Sequence, residues 1–248
     1  MKKISFFALV LSLIAVSSEA QGLKNILKKD SSGNSGLNRI IEKAPSKGSL
    51  SNEEIVSGLK EALNVGTNNA SGKLSNVDGF FKDAAIKILM PEEAQKAEKK
   101  LRSLGMGKLV DDAILAMNRA AEDAAKSAAP IFISAVKQMS IGDAVGILRG
   151  GDFAATTYLK DKTSVSLTEA FRPVIEASLS KVDATKYWNT VFSTYNKFSA
   201  DKINPDLAAY VTEKSLAGIF YQVSLEEQKI RKDPLARTTD ILKKVFAN

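Results

Sequence analysis

The chain has no histidine and no cysteine in 248 residues. Those two absences exclude the Ser-His-Asp triad, the cysteine nucleophile, imidazole and thiolate metal sites and every disulfide. Proline is scarce, with six residues, and there is a single tryptophan. Nothing covalent can staple the fold, so packing must hold it. At this length a chain buries about 70% of its unfolded surface, which is enough. The remaining composition is that of an ordinary globular protein, 44% hydrophobic and 25% charged, neither disordered nor collagen-like.

The N-terminus has the form of an export signal. Lys2 and Lys3 precede an apolar run from Ile4 to Val16, interrupted by Ser5 and Ser12, and Ser18-Glu19-Ala20 places small residues where a signal peptidase reads them. The run is shorter than the roughly 20 residues of a membrane span. No later segment is long and apolar enough to span, and no Cys follows for lipid attachment. Residues 1–20 are therefore expected to be a cleaved signal. The mature chain is expected in the periplasm, with the extracellular medium as the alternative.

The formal charge of +7 is uneven. Residues 21–50 hold Lys24, Lys28, Lys29, Arg39, Lys43 and Lys47 against Asp30 and Glu42, a net +4, while residues 51–248 carry only +2. A nucleic-acid binder shows a basic face on its domain. Here the excess sits in the tail, and no nucleic-acid partner is expected. Within the tail, Leu23, Ile26 and Leu27 fall on one side of a helical turn, with Lys24, Lys28 and Lys29 around them. That basic amphipathic turn either rests on an anionic membrane or packs back on the body. Ser31-Ser-Gly-Asn-Ser-Gly36 follows as a flexible linker.

From Ser51 onward the punctuation is helical. Ser51 and Glu54 form a capping box ahead of Ile55, Val56, Leu59, Ala62 and Leu63. Pro91-Glu-Glu93 starts a helix that Gly105 stops, Gly107 precedes an Ala-rich helix through Lys126, and Pro130 opens another to Met139. Asp183, Asn204-Pro205-Asp206 and Asp233-Pro234 supply further caps. Ser215–Val223 is apolar on nearly every face, which marks residues 205–230 as the central helix, open only at Glu226-Glu-Gln-Lys229. Gly142, Gly146 and Gly150 leave a bare strip for a close helix neighbour or a ligand. Ile86-Lys-Ile88-Leu-Met90 is the one strand-like fragment and has no partner. The expected fold is all-α, a single compact bundle of about eight to ten helices over residues 51–248 behind a flexible basic linker at 21–50.

Chemistry is hard to find. Ser-x-x-Lys recurs at Ser57/Lys60, Ser134/Lys137, Ser178/Lys181 and Ser199/Lys202, a recurrence that abundance explains, and no accompanying penicillin-binding motif is present. Asp111 and Asp112 diverge on a helix, and there is no calcium loop. No metal, cofactor or catalytic residue is assigned. The binding candidates are the stripe Trp188, Phe192 and Tyr195, with Tyr187, Val191 and Phe198 beside it, as pocket lining or core. The charged segments around Arg149/Asp152 and Arg231/Asp240 are unassigned and would carry a hydrolase if one is present, and Arg231 with Arg237 offers an anion site near a helix N-terminus, unless caps and ion pairs account for them.

Several segments match a family in order: Asn118-Arg-Ala-Ala-Glu122, Ala129-Pro-Ile-Phe132, Gly142-Asp-Ala-Val-Gly-Ile-Leu-Arg-Gly150 with Ala154-Ala-Thr156, Thr212-Glu-Lys-Ser-Leu-Ala-Gly-Ile-Phe220, and Asp233-Pro-Leu-Ala-Arg-Thr-Thr-Asp240. Together they resemble the exported bacterial family catalogued as domain of unknown function 4197. The resemblance implies a signal-bearing, mostly helical envelope protein of Gram-negative bacteria and carries over no catalytic residue.

The expected role is a non-catalytic binding or interaction module for an envelope protein or an apolar ligand, with possible peripheral contact to an anionic membrane. The alternative is a hydrolase of an envelope substrate that works through carboxylates. If residues 21–50 are a linker, a chain lacking them keeps its helical circular dichroism and cooperative melting. Loss of either would make the tail part of the fold.

Overall fold

Ser51 opens the first helix by a reciprocal cap. Its hydroxyl accepts from the Glu54 amide at 3.1 Å, and its own amide donates to the Glu54 carboxylate at 2.9 Å, so two otherwise orphaned donors are satisfied. The structure, a computed structural model, describes residues 51–181, 188–189, 192–193, 196–197, 202 and 206–246. Lys24, Lys28, Lys29, Asp183, Tyr187, Val191, Tyr195, Phe198, Asn204 and Pro205 lie outside the described residues, as do the proposed signal and linker.

Among the described residues the architecture is all-α, with eight α-helices, two short 3-10 turns and no strand. Helix α1 is Asn52–Ser75. A 3-10 turn, Glu92–Ala94, leads into α2, Gln95–Ser103. There follow α3, Gly107–Ala125; α4, Ala128–Lys137; α5, Ile141–Arg149; α6, Ala154–Ser180; and α7, Leu207–Lys232. A second turn, Pro234–Ala236, precedes α8, Asp240–Val245. A second capping box, Ser140 with Asp143, starts α5, and Thr239 caps α8. Pro130 sits inside the first turn of α4 rather than at its start.

Helix α6 organises the bundle. Its buried residues are Ala155, Leu159, Thr163, Leu167, Phe171, Ile175 and Leu179, each four apart. A step of four on a 3.6-residue helix drifts by about 40°, so the buried line winds through about 240° along α6. Successive turns therefore face different neighbours, and α6 packs on α3, α4, α5 and α7. The one polar member of the line, Thr163, returns its hydroxyl to the Leu159 carbonyl at 2.6 Å.

Helix α7 is less enclosed than its composition indicates. Val211, Ser215, Gly218, Ile219 and Val223 are buried, but Glu213, Lys214, Ala217 and Tyr221 form an open side. Ser215 and Thr212 are tolerated inside because their hydroxyls bond back to Val211 and Ala208. At its C-terminal end Glu227 is buried, against the expectation of an exposed charged end. Gly218 lets α7 close onto the wholly buried Phe80 ring: a Cβ there would lie 2.4 Å from it. Gly142 and Gly146, read as a contact strip, face no other helix: a Cβ on Gly142 would meet only the Ser140 hydroxyl, at 3.8 Å, and one on Gly146 nothing within 4 Å.

No single helix among the described residues is long and apolar enough to cross a membrane. The bent pair Gly107–Lys137 and Ile141–Arg149 passes that test only together, and its apolar residues Val110, Met117, Phe132 and Val136 are spent on the core.

The two glycine classes predict opposite outcomes. Gly218→Ala must displace Phe80 and is expected to lower stability by about 2 kcal/mol. Gly146→Ala, mid-helix and unobstructed, is expected to raise it by roughly 0.5–1 kcal/mol. Urea midpoints of the two variants decide both.

Candidate functional site

Helix α3 has two working sides. One holds the irregular crossing between α1 and α2. Glu122, 3% exposed, accepts from the amides of Phe80 and Phe81 at 3.1 and 3.2 Å. Its second oxygen takes Arg119 at 2.6 Å, and Arg119 reaches on to Asp78 at 2.7 Å. Asp78 stands at φ 69°, a left-handed conformation that Asp tolerates better than most residues. Hydrogen bonds from Lys82 and then Arg119 hold its carboxyl below the usual range. One turn back, the Asn118 amide accepts from Ile88 N–H at 2.9 Å and donates to Ile88 C=O at 2.8 Å. The strand-like fragment thus finds its partner in a side chain rather than in a second strand.

The other side of α3 borders a cavity of about 610 Å³. Ala94, Ala97 and Leu101 of the α2 arm form one wall and Leu109, Val110, Ala113, Ala116 and Met117 of α3 another. Trp188, Phe192 and Leu207 close the third. Trp188 and Phe192 have ring centroids 4.3 Å apart, tilted by 54°. Both are nearly buried yet line the space, so they serve core and cavity at once. Small alanines on the facing sides of α2 and α3 are what keep the space open.

The acids at the mouth are paired with cations. Arg102 bridges Glu98 at 2.9 Å and Asp111 at 2.8 Å, pinning α2 to α3. Lys108 takes Asp112 at 2.6 Å. Asp123 receives Lys126 at 2.8 Å and the Ser178 hydroxyl at 2.9 Å. Arg102 holds Asp111 below the ordinary carboxylate range, and Lys126 chiefly does so for Asp123. A general acid needs the reverse shift.

The remaining binding candidates sit at the opposite end of α6, a helix of 27 residues and so about 40 Å long. Arg149 is exposed. Asp152 pairs with Lys232 at 3.3 Å rather than with Arg149. Arg231 donates to Glu227 at 2.9 Å and to the Ile147 carbonyl at 2.9 Å. Arg237 donates to the Ile230 and Arg231 carbonyls, closing the C-terminus of α7, and it does not pair with Asp240, which takes Lys243. There is an anion at a helix N-terminus here, but it is the protein's own. Glu227 accepts from the amides of Ala155 and Thr156 at 3.0 and 2.8 Å and from the Thr156 hydroxyl at 2.8 Å, capping α6 from α7. Arg231 and Arg237 therefore do not converge on a vacant anion site. Among the described residues no cluster of acids is arranged to hold a metal ion.

Residues 49–247 match the family model described as a protein of unknown function, domain of unknown function 4197. The chain belongs to that family. No curated protein and no solved structure matches it. Three of the segments that carry the family resemblance contain latches. Asn118, Arg119 and Glu122 bind the crossing, Thr156 meets Glu227, Asp233 caps the 3-10 turn after α7, and Arg237 closes the end of α7.

The sequence reading reached Trp188 and Phe192 but missed the α2 and α3 walls. Their signal is an amphipathic stripe, Ala94, Ala97 and Leu101, built from residues too small to fill the gap it faces.

The Glu122 latch can be weighed. Glu122→Ala orphans the buried Phe80 amide, the half-buried Phe81 amide and one end of Arg119, and is expected to cost about 3 kcal/mol. Urea unfolding measures it, and a change below about 1 kcal/mol would show that water replaces the carboxylate.

Proposed function

We propose that the chain is an exported, non-catalytic module that binds a single apolar chain, such as a fatty acyl group, in the cavity between α2, α3 and Trp188. The cavity itself carries this reading. Its volume of about 610 Å³ lies within the usual range for small-molecule sites, and such sites are mostly apolar with few polar groups. Each methylene removed from water contributes about 0.8 kcal/mol, so an acyl chain needs no elaborate polar recognition. Lys2-Lys3, the apolar run and Ser18-Glu19-Ala20 support export, where acyl chains of envelope lipids are at hand. The carboxylate-hydrolase alternative has weaker support, because Glu98, Asp112 and Asp123 along the cavity are each bound to a cation.

The sole tryptophan is itself the reporter. Hexadecanoic acid carrying bromine on its chain is expected to quench Trp188 fluorescence saturably. Ala113→Leu with Ala116→Leu, which fills the space, is expected to weaken that quenching at least tenfold while preserving the helical circular dichroism. Quenching of equal strength in the filled variant, or none in the wild type, would refute the reading.

A further inference from the structure

The turn joining α2 to α3 shows solvent an apolar tip. Leu104 is 62% exposed, Met106 44% and Leu109 43%. Gly105, between Leu104 and Met106, stands at φ 79°, the left-handed conformation that glycine adopts without steric cost. Helix α2 is the least embedded of the longer elements. None of its residues is fully buried, and it rests mainly on α3.

The outer side of α2 is basic. On a helical wheel Ala94, Ala97 and Leu101 face the cavity, and Lys96, Lys99 and Lys100 project from the opposite side, all exposed. The cations nearer α3 are neutralised internally, Arg102 by Glu98 and Asp111, and Lys108 by Asp112. Lys96, Lys99 and Lys100 have no such acid. Glu92 and Glu93, in the 3-10 turn ahead of α2, are exposed and make no salt bridge with these lysines, so the three lysines keep the excess on this side. A basic face ending in an exposed apolar tip is the pattern of a peripheral contact with a bilayer that carries anionic headgroups.

We propose that the α2–α3 hairpin docks the protein on an anionic phospholipid surface, with Leu104 and Met106 entering the headgroup layer and Lys96, Lys99 and Lys100 lying against the phosphates. This goes beyond the cavity reading and stands without it. The two are physically continuous, since Leu101 and Leu109 belong both to the hairpin and to the cavity wall. A docked hairpin therefore holds the mouth at the lipid.

The absence of cysteine makes a local test possible, because one introduced thiol takes one label. A polarity-sensitive dye is placed on Met106→Cys in residues 21–248, with Val165→Cys as control. Val165 is 72% exposed and stands thirteen residues before Ser178, about 20 Å along α6 from the cavity. Vesicles with one third phosphatidylglycerol at low salt are expected to blue-shift the dye at 106 and leave it unchanged at 165. Lys96→Glu with Lys99→Glu and Lys100→Glu is expected to weaken the response on the order of a hundredfold. Lys24→Glu with Lys28→Glu and Lys29→Glu is expected to preserve it. No shift at 106, equal shifts at both sites, a response indifferent to the α2 reversal, or its loss in the tail variant would each overturn the proposal. Quenching of Trp188 by the brominated acid in the absence of vesicles reports on the cavity separately.

Discussion

Buried side chains that bind backbone hold this molecule together where helices cannot. A helix satisfies its own amides and carbonyls, but the crossing between Ser75 and Glu92 does not, and the chain has no disulfide and the described residues no sheet to help it. Unpaired buried amides are costly, on the order of 1–3 kcal/mol each. Asn118 and Glu122, one turn apart on α3, supply the missing partners. Glu227 does the same across the bundle for the first turn of α6. In each case a charged or amide group is retained in the interior because it has several ligands. Glu122 has three, and Glu227 has four groups donating to it.

That constraint explains why the sequence was easier to read for fold than for site. The capping box at Ser51 and the stop at Gly105 are local chemistry, visible within four residues, and they place helix ends where the structure has them. Gly146 and the outer side of α7 failed because spacing shows which residues share a face and not what lies opposite. Glu227 looked like an exposed acid in a charged run. Its partners Ala155 and Thr156 are more than seventy residues away, and no periodicity links them. The same holds for the cavity. Trp188 and Phe192 stood out as aromatic, whereas the alanines that open the space look like ordinary helix formers.

The winding line on α6 has a consequence for where a cavity can form. Over most of its length α6 meets a neighbour on each side its buried line turns toward. At its C-terminal end, Ser178 and Lys181 border the open space instead. Helix α2 covers that end with no fully buried residue, touching the core only through the partly buried Ala97 and Leu101. It is held by one bridging arginine, Arg102, and by a stripe whose members are mostly alanine. Exposed ion pairs contribute little, typically about 0–1 kcal/mol, and alanine contacts bury little area.

Helix α2 is therefore the element that yields at least cost. Opening it leaves the Glu122 and Asn118 latches intact, because those lie on the opposite side of α3 and hold the chain upstream of Pro91. Low local stability next to an otherwise locked body is where binding elements are drawn from. Rigid support on one side of α3 and a lightly held arm on the other follow from one helix carrying Asn118 and Glu122 on one side and Ala113 and Ala116 on the other, with Arg119 between them at the cavity's edge. A ligand that fills the space replaces missing contacts between two alanine surfaces, so it stabilises the closed arm by the area that the protein leaves unburied.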